Sequence, residues 1–130
     1  MLHYIWATKD RAPIITPELK GILLPHIKAN CKQKGIYLDS VNCVEDHIHL
    51  LVALDAEQTI AKVVQLIKDE SSYWINNTKI LQEKFAWQDD YIALSVSGSV
   101  EDKVRAYIAN QEEHHKHKTF ESEYAAFSKL

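Results

Sequence analysis

The sequence predicts an α+β domain in the order β-α-β-β-α-β-α, with a four-stranded, mainly antiparallel sheet and helices packed on one face. Three observations predict it. Short segments rich in aromatic and β-branched residues alternate with longer ones whose apolar residues recur at helical spacing. Segments 35–44 and 47–52 are strand-like and separated by only Glu45-Asp46, so an antiparallel hairpin is their natural pairing. Finally, 130 residues with 46% hydrophobic and 25% charged content make one ordinary globular domain, 1–130, with a real core.

Leu2-His3-Tyr4-Ile5-Trp6-Ala7-Thr8 reads as the first strand, ended by Lys9-Asp10-Arg11-Ala12-Pro13. Thr16, Pro17 and Glu18 then supply an N-cap hydroxyl, a proline at the first helical position and an acid in the first turn. Leu19, Ile22, Leu23 and Ile27 form an apolar stripe up to about Lys34, and Gly35 closes the helix. Pro25 lies too deep for a first turn and predicts a kink or break. Gly35–Val44 is the second strand, and Glu45-Asp46 links it to the third, His47–Val52.

Thr59 caps a long helix with Ile60, Val63, Val64, Ile67, Trp74 and Ile75 at helical spacing; Lys68, Ser71 and Ser72 fall on it. Tyr91–Val96 is the fourth strand, approached through Phe85-Ala86-Trp87-Gln88. Ser97-Gly98-Ser99 breaks it, and Ser99 with Asp102 resembles a capping box. The last long helix is expected from Val100 to about Lys116. Residues 117–130 make a short closing segment with Phe120, Tyr124 and Phe127 on one side.

Composition excludes several classes. No apolar run approaches the roughly 18 residues of a membrane span, and no signal peptide opens the chain, so a cytoplasmic protein is expected. Cys31 and Cys43 lack CxxC spacing and suggest neither a disulfide framework nor a cysteine metal site. A formal net charge of −3 argues against indiscriminate coating of nucleic acid. The first 35 residues nevertheless hold six basic side chains against two acidic ones, which allows a local patch.

The chemistry gathers around Asp46-His47-Ile48-His49-Leu50-Leu51-Val52. Alternation along a strand puts His47, His49 and Leu51 on one face and Ile48, Leu50 and Val52 on the other. Alternate residues on one face lie roughly 7 Å apart, from where two imidazoles can converge on a divalent ion. An isolated His-x-His is equally compatible with a wet strand face. In the last helix Val100, Val104, Tyr107, Gln111 and His114 fall within a band about 80° wide. That stripe begins apolar and ends with a phenol, a carboxamide and an imidazole, although a core-edge tyrosine would read the same way alone. Taken together, the elements suit a phosphodiester. The Gln111 amide oxygen can complete the ion's ligands, the ion can polarise the phosphate, and Tyr107 can attack it. The protein–DNA bond so formed conserves the energy that hydrolysis would waste.

These two stretches, with Tyr107-Ile108-Ala109-Asn110-Gln111 intact, resemble the single-tyrosine HUH transposases, which include insertion-sequence and REP-associated tyrosine transposases. Supporting matches are Trp6-Ala7-Thr8-Lys9 with Arg11-Ala12-Pro13, Ile67-Lys68 with Ser71-Ser72, and Trp87-Gln88 with Tyr91 and Ser95-Val96-Ser97. Asp10 and Asp89-Asp90 depart from the family pattern. The resemblance implies a ferredoxin-like fold and a Mg2+- or Mn2+-dependent nuclease of single-stranded DNA. It makes His47, His49 and Gln111 the metal ligands and Tyr107 the nucleophile that forms a 5′-phosphotyrosine. It further implies hairpin DNA as partner and a homodimer, with the tyrosine helix of one subunit able to complete the other's His site.

Lys9, Arg11, Lys68 and Arg105 are candidate phosphate contacts, and His114 a candidate neighbour of the site. His115 and His117 read as a solvated helix end, Glu112 and Glu113 as surface residues. Two other functions compete. A DNA-hairpin-binding module could keep the scaffold without turnover, but would have no evident need of both Tyr107 and Gln111. Replication or mobilisation nickases of the wider group usually carry longer chains.

Overall fold

The computed structural model describes residues 1–111. The strands are β1 (Leu2–Ala7), β2 (Tyr37–Cys43), β3 (His47–Ala53) and β4 (Ile92–Ser95). The helices are α1 (Pro17–Gln33), α2 (Ile60–Thr78) and α3 (Glu101–Ala109). One antiparallel sheet of order β2-β3-β1-β4 carries all four strands, so the His-bearing β3 is central. Val44 N–H donates to the His47 carbonyl at 3.0 Å, closing the predicted hairpin over Glu45-Asp46.

The two sheet faces have separate cores. Tyr4, Trp6, Ile48, Leu50 and Val52 project to the face packed by Leu19, Leu23, Ile27 and Cys31 of α1 and Val63, Val64, Ile67 and Ile75 of α2. Ile5 and Leu51 project to the other face, where Val104 and Ile108 of α3 cover them. The helices are therefore not all on one face: α1 and α2 pack as expected, and α3 crosses behind. Alternation is the reason, because a central strand with apolar residues on both sides needs cover on both.

Local chemistry explains most boundaries. The Thr16 hydroxyl accepts from Leu19 N–H and the Thr59 hydroxyl from Lys62 N–H, both at 3.1 Å, which makes both predicted N-caps real. Pro25 does not break α1. Its ring is exposed, as is Gly21 one turn earlier, so water can solvate the carbonyl that Pro25 leaves without a donor. Ile22 turns outward, 39% exposed, and the buried stripe instead runs through Leu19, Leu23, Ile27 and Cys31. Residues 86–88 extend the sheet beyond β4 through Thr8 paired with Trp87 and Gln88 N–H donating to Ala7 at 2.9 Å.

The start of α3 differs from expectation. No capping box forms: Ser99 Oγ pairs with Ser97 Oγ at 3.1 Å, and the Asp102 carboxylate accepts from Arg105 at 2.7 Å. At Asn110 the backbone leaves helical values, while its side chain donates to the Ala106 carbonyl at 2.9 Å; the expected continuation from 112 to about Lys116 lies outside the described residues. His114 and the segment 117–130 lie outside the described residues.

Replacing Leu50 with alanine removes a wholly buried side chain between α1, α2 and the sheet. Denaturant unfolding should show a loss of about 2–5 kcal/mol, whereas Ile22→Ala should change stability by no more than about 0.5 kcal/mol.

Candidate active site under the third helix

The polar face of the sheet is built by β1 and β3. His47 and His49 are both fully buried, with ring centres 5.2 Å apart. Each ring is oriented through Nδ1. His47 Nδ1 lies 2.7 Å from the Asp46 carboxylate, and His49 Nδ1 lies 2.8 Å from Nε2 of His3. Arg11 Nε stands 4.0 Å from the second Asp46 oxygen, which places the turn after β1 beside the His47 end of the site.

Tyr107 comes down from α3 onto this face. Its ring stands edge-on to His49, 5.8 Å between centres and 62° between planes, and its hydroxyl oxygen is buried. The contact is made within one chain. Gln111 is completely buried just beyond the helix, and neither polar atom of its carboxamide has a hydrogen-bond partner among the described residues. Such a group costs about 1–3 kcal/mol, which a ligand can recover. Among the described residues no three His, Cys, Asp or Glu side chains converge as a metal group.

Three contacts hold α3 in register with the imidazoles. Asn42, cross-strand from His49, donates its amide to the Ile108 carbonyl at 2.8 Å. The pairing of β2 with β3 slips between Leu38 and Ser40, leaving Asp39 as an extra residue in a bulge. Asp39 accepts two bonds from Arg105, at 2.9 and 3.1 Å. Hydrogen bonds from the Arg105 guanidinium hold the Asp39 carboxyl below the usual carboxylate range, against burial, which raises it. The same contacts push the guanidinium up.

The first 111 residues match the IS200-like transposase family over their whole length. The chain belongs to the IS200-like transposase family. It is 24% identical to the ISDra2 transposase TnpA of Deinococcus radiodurans over 114 residues, covering 84% of this chain and 81% of that one. Its fold resembles a D. radiodurans R1 protein described as a transposase, with a TM-score of 0.69, 26% identity and coverage of 85% of this chain and 88% of the other. It also resembles a REP-associated tyrosine transposase bound to a REP hairpin, with a TM-score of 0.65, 13% identity and coverage of 88% and 67%. The last likeness is one of fold.

Within this family member the four basic candidates part company. Lys9 and Arg11 lie in the turn at the site's edge, Lys9 exposed and Arg11 half-buried. Asp10 and Arg11 in that turn have positive φ values of 56° and 55°, an uncommon conformation for either residue. Lys68 is on α2, across the sheet, and donates to the Gln88 and Asp89 carbonyls at 2.6 and 3.0 Å; burial pushes its amine down. Arg105 is engaged by Asp39, Asp102 and Glu101. Trp87 Nε1 donates to the Ser71 hydroxyl at 2.9 Å and pins the 85–88 segment to α2. No described helix is long and apolar enough to cross a membrane.

Sequence reasoning passed over His3, Asn42 and Asp39. Alternation puts His3 on the face of Ile5, but only the pairing of β1 with β3 brings that face beside His49. The other two depend on a bulge and on where α3 lands.

Because the folded Asp39 carboxyl titrates below its unfolded value, its tie to Arg105 stabilises the chain above about pH 4 and is lost as pH falls through the lower, folded value. Thermal melts of wild type and Asp39→Asn should therefore differ at pH 7 and converge in acid.

Proposed function

We propose that this chain is a metal-dependent, single-strand DNA endonuclease and strand transferase acting through a 5′-phosphotyrosine on Tyr107. The observation that carries the reading is the edge-on contact of the Tyr107 ring with His49, inside one chain and on the face that holds both imidazoles. A phenol packed for structure alone would not need two buried histidines and a buried carboxamide that has no partner among the described residues.

In this reading the Tyr107 oxygen attacks phosphorus as the phenol gives up its proton. The bond from phosphorus to the 3′ oxygen breaks, its electron pair leaves with that oxygen, and a proton makes it a free 3′-hydroxyl. Tyr107 keeps the 5′ phosphate as a diester. Attack on that diester by another 3′-hydroxyl rejoins DNA and restores the phenol, so no external energy source is needed.

The donor set suits a small divalent cation. His47 and His49 would bind through Nε2, since Nδ1 of each is engaged by Asp46 and His3, and Gln111 would add its amide oxygen. Mg2+ or Mn2+ bound there supplies Lewis-acid polarisation of the scissile phosphate and neutralises part of its charge. Asp46 holds the His47 ring, and Asn42 with Arg105 holds the phenol's helix, so the reacting groups are positioned before DNA arrives.

Single-stranded DNA with a hairpin is the proposed partner, supported by the REP-hairpin complex of the structural relative. Lys9 and Arg11, at the rim, are the proposed phosphate contacts, while Lys68 and Arg105 serve the protein's own architecture. A homodimer belongs to the same proposal, with the nucleophile acting in cis on its own His pair.

Incubated with Mn2+ and hairpin-bearing single-stranded DNA from its own flanking repeats, wild-type protein should give a denaturation-resistant protein–DNA band and a free 3′-hydroxyl end. Tyr107→Phe should reduce the band to background, and chelation should do the same. Gln111→Ala should lower it by at least about 10-fold at limiting Mn2+. A band of unchanged intensity from Tyr107→Phe would remove the assignment.

A further inference from the structure

His3 is buried completely and lies 2.8 Å, Nε2 to Nδ1, from His49, with the rings 5.0 Å apart and 28° from parallel. Register explains the meeting. Ile5 is cross-strand from His49 and His3 from Leu51, so His3 and His49 are diagonal neighbours on one face of β1 and β3. Neither the leading reading nor the two competing ones gives His3 a task.

A hydrogen bond between two neutral imidazoles contains one proton, and it can be arranged in two ways. If His49 carries the proton on Nδ1 and donates, its Nε2 is the lone-pair nitrogen, the form that binds a cation. If His3 carries the proton on Nε2 and donates, His49 is protonated on Nε2 and cannot bind one. His47 has no such choice, because its Nδ1 faces a carboxylate, which only accepts. The two imidazoles of the pair are thus held by unlike partners, one by Asp46 and the other by a ring that can both donate and accept.

We propose that His3 is a positioning residue for the metal site: as the acceptor for His49 Nδ1–H, it fixes the ring and the tautomer that present Nε2 to a divalent cation. This rests on the reading of His47 and His49 as metal ligands. In this role His3 acts through His49, and an amide oxygen of suitable reach can substitute for it.

The test uses Mn2+ alone as probe on the full chain, without DNA. Binding is measured by electron paramagnetic resonance, the metal-free His49 tautomer by nitrogen-15 NMR, and folding by thermal melts. In wild type, His49 should carry its proton on Nδ1. His3→Phe keeps a ring but offers no acceptor, and should weaken Mn2+ binding about 10- to 100-fold with a shift of His49 toward the Nε2-protonated form. His3→Gln, which retains an acceptor, should recover most of the affinity and the wild-type tautomer. It also serves as the readout should the phenylalanine variant fail to fold. Wild-type affinity and tautomer in a folded His3→Phe would overturn the proposal and leave the metal site standing, as would a His3→Gln that folds but binds no better than His3→Phe. Wild-type protein whose Mn2+ binding is absent, or is indifferent to His47→Ala, would overturn the metal-site reading itself and this proposal with it.

Discussion

Every feature of this molecule answers to the two-residue period of its central strand. Along β3 the apolar residues Ile48, Leu50 and Val52 point into the core under α1 and α2, and the same geometry obliges His47 and His49 to point the other way. A face carrying Ile5 and Leu51 beside those imidazoles cannot be left to water, so α3 covers it through Val104 and Ile108. The Tyr107 phenol thus reaches the His pair as part of ordinary hydrophobic cover. Slipping the register of β3 by one residue would bury both imidazoles in the core and turn its apolar residues toward α3.

Hydrophobic cover is non-directional and would let α3 slide, so polar contacts set its register. Asn42 holds the end of the helix opposite His49, and the bulge that adds Asp39 to β2 aims a carboxylate at Arg105. A charge that the sequence offers as a phosphate contact is thereby spent on orientation. The same holds on the far face, where Lys68 stitches α2 to the 88–89 backbone. Basic side chains near a nucleic-acid enzyme's motifs are as useful for fixing loops as for gripping phosphates, and their partners tell the two apart.

The buried polar residues beneath α3 form the costliest part of the fold. His3, His47 and His49 are all fully enclosed, and low-dielectric surroundings penalise any of their nitrogens that lacks a partner. Asp46 and the His3–His49 pairing meet part of that demand, while the Gln111 carboxamide has no partner among the described residues. A domain selected for stability alone would fill this space with aliphatic side chains. That it does not is the strongest physical sign that the face under α3 exists to hold something else.

By itself the sequence determined the element order, both threonine-capped helices, the Glu45-Asp46 hairpin and the separation of two imidazoles from the apolar side of their strand. All of these follow from local rules: capping chemistry, turn length and side-chain alternation act within a few residues. It also marked Tyr107 and Gln111, through helical spacing and family resemblance. Tertiary structure alone decided that α3 crosses the opposite face from α1 and α2, that Tyr107 meets His49 of its own chain, and that His3 completes the pair. It alone paired Arg105 with Asp39 and kept α1 continuous through Pro25. These outcomes depend on which surfaces are left uncovered once the sheet has formed, and on competition among partners distant in sequence, neither of which is written in any short stretch of residues.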